Sequence, residues 1–268
     1  LDENLKFDLD KLPKLSQGSS VILASPNNPT GSYLSYEDLH KLLGSNPNTL
    51  FIVDEAYYEF SPKPYTSLLA SHPNLILLRT FSKALGAAGV RLGYTMGHRL
   101  FISQLKKLSL PFLINSFTTQ AFSIALKDQE FLAQVKDRVD TLKKEKDQMY
   151  QTLEKWQGSG RYRVFSSCGN FLFVTTDDQQ QTTTYYQKLM KVGIQTRFIK
   201  QPGISHGMRI SVGTPEENKK FCQEFEQIVR QWNQTIVAWE GYLLAETDEG
   251  EEVWGDLKEA LRFSAHLR

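Results

Sequence analysis

The stretch VILASPNNPTG (residues 21–31) joins a short apolar run to a rigid turn. Residues 21–24 are apolar and are bounded by turn-forming residues, which predicts a buried strand. Two prolines and a glycine fix the turn that follows. A doubled asparagine at the carboxyl end of a buried parallel strand lies where α/β sheets place ligand-binding side chains. We therefore interpret Asn28 as a candidate ligand-binding residue, with a purely structural turn as the alternative.

The same strand pattern recurs at residues 50–53 and 75–78. Between the first two strands, residues 35–43 have leucines at helical spacing, and Ser35 is placed to cap the helix. This strand–helix–strand order predicts a parallel sheet. It continues with one strand and two helices, at residues 92–96, 101–108 and 117–126. We expect an α/β domain over residues 1–127.

A long helix is predicted after this domain. Residues 130–156 place apolar side chains mostly three or four positions apart, which is typical of an amphipathic helix that joins two domains. A smaller α+β domain is expected over residues 128–234. Its predicted strands lie at residues 162–165, 171–174, 194–198 and 208–212, and its other helices at 183–192 and 214–232. Residues 235–268 are expected to form an appended tail of unknown role, with a possible strand to residue 245, an acidic turn at 247–252 and a short helix near 257–263.

A second candidate site follows the strand at residues 50–53, in VDEAYYEF (residues 53–60). Asp54 comes directly after the apolar run, so its carboxylate is expected at the edge of a dry sheet. An unpaired charge is costly there, and we expect Asp54 to be buried beside a cationic partner. Taken alone, Asp54 is equally well a helix cap or half of a structural ion pair.

A third candidate site is TFSKALGAAGVRLGY (residues 80–94). Lys83 lies just beyond a predicted strand among small residues that permit close approach of a ligand, so we expect it not to be a surface lysine. Thr80, Ser82 and Arg91 form an anion-binding set, because arginine grips phosphate oxygens in a fork and hydroxyls complete the shell. A phosphorylated ligand is implied. Without the other motifs, a mobile loop rich in glycine and alanine is an equal explanation.

Composition excludes several classes of protein. The 268 residues are 40% hydrophobic and 23% charged, with a net charge of +1 and a mean hydropathy of −0.38. The apolar runs are too short to span a membrane, and no basic block suits a nucleic-acid binder. Cys168 and Cys222 cannot form a disulfide framework, which fits a reducing cytoplasm. The five histidines lack metal-ligand spacing, so no metal site is predicted: His40, His72, His98, His206 and His266.

Four motifs together resemble the fold-type I pyridoxal-phosphate aminotransferases, and most closely the histidinol-phosphate aminotransferases. They are SPNNPTG (25–31), VDEAYYEF (53–60), TFSKALGAAGVRLGY (80–94) and MRISVGTPEEN (208–218). The resemblance covers roughly residues 1–233. It implies a large α/β domain with a mostly parallel sheet, a smaller α+β domain and pyridoxal 5′-phosphate as cofactor. It also implies amino transfer from histidinol phosphate to 2-oxoglutarate, a step of histidine biosynthesis, by a cytoplasmic homodimer with small-molecule substrates.

The resemblance further implies roles for single residues. Lys83 is similar to the lysine that binds the cofactor and moves the substrate proton, and Asp54 to the aspartate that pairs with the pyridine nitrogen. Asn28 and Tyr57 match residues that bond the cofactor's 3′-oxygen, and the catalytic set is Lys83, Asp54 and Tyr57. The resemblance implies that the cofactor phosphate is bound by Thr80, Ser82 and Arg91. It also implies that Arg209 binds the substrate's α-carboxylate and Arg197 its distal group.

The sequence also departs from the family. Members carry a substantial segment before the strand that leads to SPNNPTG, and no counterpart precedes it here. Because that segment supplies several strands and part of the phosphate site, we expect an apolar sheet edge prone to instability or association. Two alternatives stay open: a threonine-phosphate decarboxylase, which would release carbon dioxide, and an inactive fragment that acts through a partner chain.

Overall fold

The computed structural model describes residues 1–110, 113–201 and 204–245, which form two four-stranded sheets. In the first sheet the strands follow chain order: β1 (Ser20–Ala24), β2 (Leu50–Asp54), β3 (Leu75–Thr80) and β4 (Gly93–Gly97). β1, β2 and β3 are parallel, whereas β4 runs antiparallel to β3. The predicted α/β class with a mostly parallel sheet is confirmed.

One face of this sheet is covered by the first helix, α1 (Tyr36–Ser45). Ser35 caps it, since its hydroxyl accepts the Asp38 N–H at 3.0 Å, as the sequence predicted. Leu39 and Leu43 on α1 are fully buried and pack in one cluster with alternate residues of β2 and β3. This packing fixes the sheet's register, because a slip of one residue would turn the apolar set to the other face.

The carboxyl ends of β1, β2 and β3 meet at one edge of the sheet. The parallel register places Ala24 beside Asp54, and Asp54 beside Leu78. The turn after β1, the segment after β2 and the loop after β3 therefore start side by side. Two short 3₁₀ helices, Tyr58–Phe60 and Tyr65–Ala70, lie between β2 and β3.

The second sheet is antiparallel, in the order β5-β6-β8-β7. Its strands are β5 (Tyr162–Phe165), β6 (Phe171–Thr176), β7 (Arg197–Gln201) and β8 (Ile204–Ser211). Three helices supply the core on one face: α4 (Gln129–Gly160), α5 (Gln179–Lys191) and α6 (Pro215–Ala245). Leu153, Leu172, Tyr185 and Phe225 are fully buried there.

Two helices follow the first sheet in the chain, α2 (Arg99–Leu108) and α3 (Ser116–Ala125). They leave apolar side chains exposed to solvent. Leu108 is 80% exposed and Phe117 is 89% exposed, and Ile22 on the edge strand β1 is 73% exposed. Of these three residues only Ile22 lies on the edge of the sheet, and the association expected from the sequence stays a prediction. No helix in the described ranges has the length and apolarity needed to cross a bilayer.

Two sequence predictions about the second half need correction. The possible strand over residues 235–245 is wrong, because α6 continues through these residues to Ala245; extending an existing helix costs far less than starting a new element. β7 begins at Arg197 and not at residue 194, because Gly193 ends α5 with φ +79° and the Ile194 N–H bonds the Leu189 carbonyl. The predicted turn at 247–252 and helix near 257–263 lie outside the described residues.

Candidate active site

The turn after β1 is held by its own polar groups. The Ser25 hydroxyl lies 2.6 Å from the Tyr65 hydroxyl and accepts the Leu34 N–H at 2.9 Å. Gly31 has φ +78°, and its N–H bonds the Asn27 carbonyl at 2.8 Å. With the backbone fixed in this way, the side chain of Asn28 is left exposed at the edge of the sheet.

Asn28 meets an arginine from the second sheet. Arg209 on β8 donates from Nη1 to the Asn28 Oδ1 at 2.9 Å, and its guanidinium lies 5.3 Å from the centre of the Phe171 ring. Its Nε is buried and has no acceptor among the described residues. A buried donor without a partner costs about 1–3 kcal/mol, and a bound anion would recover that energy. The contact joins two residues that the sequence assigned to cofactor and substrate.

A second arginine lies opposite Arg209. Arg197 on β7 pairs directly with it across the antiparallel ladder, and Arg197 is exposed. Directly paired residues share a sheet face, and like charges there repel each other. The pair is therefore suited to an anionic ligand that neutralises both charges.

Asp54 differs from its prediction. Its side chain is exposed, and Oδ1 accepts the Ala56 N–H at 2.9 Å. Within the described ranges Asp54 forms no ion pair with another side chain, and the expectation that its carboxylate is buried is wrong. The reason is the alternation of strand side chains: Val53 is buried, so Asp54 faces outward and the next residue turns inward.

That next residue, Glu55, holds the ion pair that was predicted for its neighbour. Its side chain is 1% exposed, and Oε2 accepts the Arg79 Nε–H at 2.8 Å. Oε1 accepts the Tyr65 N–H at 2.9 Å. Burial raises the pKa of Glu55, although the Tyr65 N–H and Arg79 oppose this shift. Sequence reasoning missed this pair; its signal was a second charge beside each candidate, Glu55 after Asp54 and Arg79 before Thr80.

Lys83 also differs from its prediction, because its side chain is exposed. Its Nζ lies 5.2 Å from the centre of the Tyr57 ring. Tyr57 is buried and packs edge-to-face on Phe171 at 5.3 Å. The loop is anchored by the buried Ala84, which leaves the lysine amine on the outer side. The structure thus places the Lys83 amine over Tyr57, at the rim of the site.

The predicted phosphate set is only partly assembled. Thr80 donates its hydroxyl to the Ser82 Oγ at 2.9 Å, and the Ser82 N–H donates to the Thr80 Oγ1 at 3.1 Å. Arg91 is exposed at φ +55°, and its described hydrogen bond runs to the Ala88 carbonyl at 3.1 Å. The two hydroxyls therefore lie together, whereas Arg91 bonds its own loop.

A further carboxylate, unassigned by the sequence analysis, lies behind the site. Both oxygens of Glu59 are buried and have no hydrogen-bond partner in the described part of the chain. Burial raises the pKa of Glu59 to about 7. The Glu59 backbone N–H, Arg79 and the Tyr58 side chain oppose the shift, and Glu55 adds to it. One arginine thus faces two buried carboxylates, and Glu55 holds the direct bond.

Glu59 makes the stability of the protein depend on pH. The raised pKa means that the stability contributed by the protonated carboxyl is complete below the ordinary value of 4.5 and is lost as pH rises through about 7. At about pH 8, the free energy of unfolding of Glu59→Gln is expected to be about 2 kcal/mol higher than that of the parent. This value follows from the pKa shift and is reduced because the residue is partly exposed. Urea titrations at about pH 5 and about pH 8 would measure this, and the gain should be smaller at the lower pH.

The control for this prediction is Glu3→Gln, which neutralises an exposed carboxylate. Its unfolding free energy should follow the parent's at both pH values. An equal effect of Glu59→Gln at the two pH values would contradict the assignment.

Comparison with known proteins gives consistent matches. The family model for aminotransferase class I and II matches residues 2–225. A histidinol-phosphate aminotransferase of Synechococcus sp. is 38% identical over 211 residues, which is 78% of this chain and 56% of that protein. The chain thus spans about half the length of the curated relatives it matches.

Solved structures agree on the fold. The histidinol-phosphate aminotransferase of Sinorhizobium meliloti, solved with pyridoxal-5′-phosphate, superposes with a TM-score of 0.66 at 27% identity, over 80% of this chain and 58% of that one. The L-threonine-O-3-phosphate decarboxylase of Porphyromonas gingivalis gives 0.69 at 20% identity, over 79% and 65%. At that identity the second likeness shows the fold alone.

Proposed function

Because this chain belongs to the class I and II aminotransferase family, we propose that its residues form part of a pyridoxal-phosphate site that transfers the amino group of histidinol phosphate to 2-oxoglutarate. The observation that carries the proposal is the hydrogen bond between Arg209 and Asn28. It brings the candidate carboxylate-binding arginine of one sheet onto the candidate cofactor-binding asparagine of the other. Substrate and cofactor residues thereby share one site.

The polar groups at this edge fit the cofactor. Asp54 offers an exposed carboxylate for a protonated ring nitrogen, and a charge-assisted bond of that kind is worth about 1.5–3 kcal/mol. The hydroxyls of Thr80 and Ser82 already lie together and can accept or donate to phosphate oxygens. Lys83 supplies an accessible amine beside Tyr57. Pyridoxal phosphate, when bound, supplies the electron sink for the bond broken at the substrate's α-carbon.

The chain's own residues then have separate tasks. Lys83, as a free amine, would take the proton from the substrate's α-carbon and deliver it to C4′ of the bound cofactor. Asp54 keeps the ring nitrogen protonated, and Tyr57 and Asn28 bind the 3′-oxygen. Arg209 binds the anionic group beside the α-carbon, which is the phosphate of histidinol phosphate and the α-carboxylate of glutamate or 2-oxoglutarate. Its Nη1 is held by Asn28, while Nε still lacks an acceptor within the described ranges.

The distal end of the substrate is assigned to Arg197. Its position opposite Arg209 suits a molecule with two anionic ends, such as glutamate or 2-oxoglutarate. Arg91 completes the phosphate clamp in this proposal, and to do so its guanidinium must leave the Ala88 carbonyl.

We also propose a domain organisation, a location and an oligomeric partner for the chain. Residues 1–127 form the cofactor-binding domain and residues 128–234 the smaller domain; the assigned tail, 235–268, begins within α6. We place the protein in the cytoplasm, with amino acid and keto acid as its small-molecule partners and a second copy of the chain as its oligomeric partner. The exposed apolar side chains of α2 and α3 support the last point.

The product of the reaction tests this function. The full chain, supplied with pyridoxal phosphate, histidinol phosphate and 2-oxoglutarate, is expected to form glutamate, detected by mass spectrometry. The matched incubation with threonine phosphate, with carbon dioxide release as the readout, is expected to give nothing. Carbon dioxide without glutamate would favour the decarboxylase, and neither product would favour an inactive chain.

A further inference from the structure

A buried ion pair lies directly behind the residues assigned to the cofactor. Glu55 follows Asp54 in the chain, and Arg79 precedes Thr80. The two inner side chains are 1% and 8% exposed, and their Oε2 and Nε atoms are 2.8 Å apart. Successive side chains at a strand end point to opposite sides, so a restraint on the inner residue also restrains its outer neighbour.

The ion pair is tied to the same segment at both ends. Glu55 accepts the Tyr65 N–H at 2.9 Å, and Arg79 donates from Nη2 to the Thr66 Oγ1 at 2.6 Å. Tyr65 and Thr66 are neighbours in the 3₁₀ helix that follows β2. The carboxylate and the guanidinium therefore each have a second partner, which fixes their positions and not only the distance between them.

A third contact reaches the chain neighbour of Tyr57. The Arg79 guanidinium lies 3.6 Å from the centre of the Tyr58 ring, and Tyr58 follows Tyr57. Glu55, Tyr58 and Arg79 are thus each the chain neighbour of one residue assigned to the cofactor.

Stability alone does not explain the ion pair. Removing two charges from water costs several kcal/mol, and replacing a buried pair with groups of similar volume is often neutral or stabilising. In some proteins such buried polar groups select one arrangement of the chain. Here that arrangement is the relative position of two strand ends.

We propose that Glu55 and Arg79 are positioning residues that fix the Asp54 carboxylate relative to the Thr80 hydroxyl and the Tyr57 ring. The inference rests on the proposed function, in which those three groups contact pyridoxal phosphate. Glu55 and Arg79 themselves touch neither cofactor nor substrate. They act by holding the site in the geometry it needs before the cofactor arrives.

The test uses a double variant of the full chain. Arg79→Met alone leaves a buried unpaired carboxylate and is a poor test, because the variant risks unfolding. Glu55→Gln/Arg79→Met removes both charges, and the glutamine oxygen can still accept the Tyr65 N–H. The control is Val229→Ala, a cavity variant in the core of the second sheet, where Val229 is 2% exposed.

The first readout needs no cofactor. Amide hydrogen exchange in the segments at 54–58 and 79–82 is expected to be about tenfold faster or more in the double variant, with β5 and β6 unchanged. Val229→Ala should not produce this local change. Equal exchange of these segments in parent and double variant would overturn the inference, whatever the proposed function proves to be.

The second readout is the affinity for pyridoxal phosphate, from titration of the near-visible absorbance of the lysine-bound cofactor. Loss of a supporting shell typically costs about 10- to 100-fold, so the double variant's dissociation constant should rise at least about tenfold. Val229→Ala should bind pyridoxal phosphate as the parent does, even if its melting temperature falls as far as that of the double variant. An unchanged dissociation constant in the double variant would overturn the inference. If the parent itself shows no absorbance band with pyridoxal phosphate, the proposed function is contradicted, and the hydrogen-exchange result alone decides on the role of Glu55 and Arg79.

Discussion

Lys83→Ala is expected to abolish amino transfer and leave the fold intact. The amine is the group assigned to bind the cofactor and to move the proton at the α-carbon, and loss of one such group costs about 10²- to 10⁴-fold. Since Lys83 does both tasks, we expect a loss of at least about 10³-fold in the rate of glutamate formation. Its side chain is exposed, and its amine lies 5.2 Å from the centre of the Tyr57 ring, so the urea midpoint should stay close to the parent value.

A second exposed lysine supplies the control for this prediction. Lys127→Ala removes the same charge and the same stem at the end of α3 and should transfer amino groups at the parent rate. Equal rates in Lys83→Ala and the parent would show that another group carries the chemistry.

Gly31→Ala is expected to cause the largest loss of stability. Gly31 has φ +78°, where a side chain costs about 1–2 kcal/mol. Its new Cβ would also overlap the Oγ and Cβ of Ser167 and lie 2.8 Å from the Ser167 Cα, so the backbone of the second half must move. With about 1–3 kcal/mol for overpacking, the total is about 3 kcal/mol or more, measured by urea unfolding.

Gly18→Ala separates the two causes of that loss. Gly18 has nearly the same φ, +76°, with no atom within 4 Å of an added Cβ, so it should show the backbone cost alone. If both variants lost the same free energy of unfolding, the close approach of the turn to Ser167 would not contribute to the effect of Gly31→Ala. The Gly31 carbonyl also accepts the Cys168 N–H at 2.8 Å, which makes this approach a fixed contact between the two halves of the molecule.

Local patterns predicted the elements of the fold well. Apolar runs bounded by turn residues predicted β1, β2 and β3. Helical spacing of leucines, with Ser35 as cap, predicted α1. These signals are short-range, and tertiary packing reinforces them. The end of α6 was missed because β-branched and aromatic residues suggested a strand, while the preceding helix had already met the cost of nucleation.

The environment of two candidate site residues was predicted wrongly. Asp54 and Lys83 were expected to be buried, and both are exposed. Burial at a strand end is decided by a shift of one residue, which apolar runs cannot resolve. The same shift hid Glu55, whose partner Arg79 is far away in sequence and is brought close by the sheet register. Only the folded chain reveals this ion pair.

The Arg209 contact lay equally beyond sequence reasoning. Both Asn28 and Arg209 were singled out, yet nothing in the linear pattern says that β8 of the second sheet reaches the turn after β1. That contact depends on how α4 and the segments beside it place the two sheets.

The central claim, that this chain assembles a pyridoxal-phosphate site around Lys83, has one direct test. The full chain is mixed with pyridoxal phosphate, the lysine-bound cofactor is fixed by borohydride reduction, and the modified lysine is located by peptide mass spectrometry. The account predicts label on Lys83 at near-stoichiometric level, with only trace label on exposed lysines such as Lys127. Label spread evenly over surface lysines, or its absence from Lys83, would contradict it.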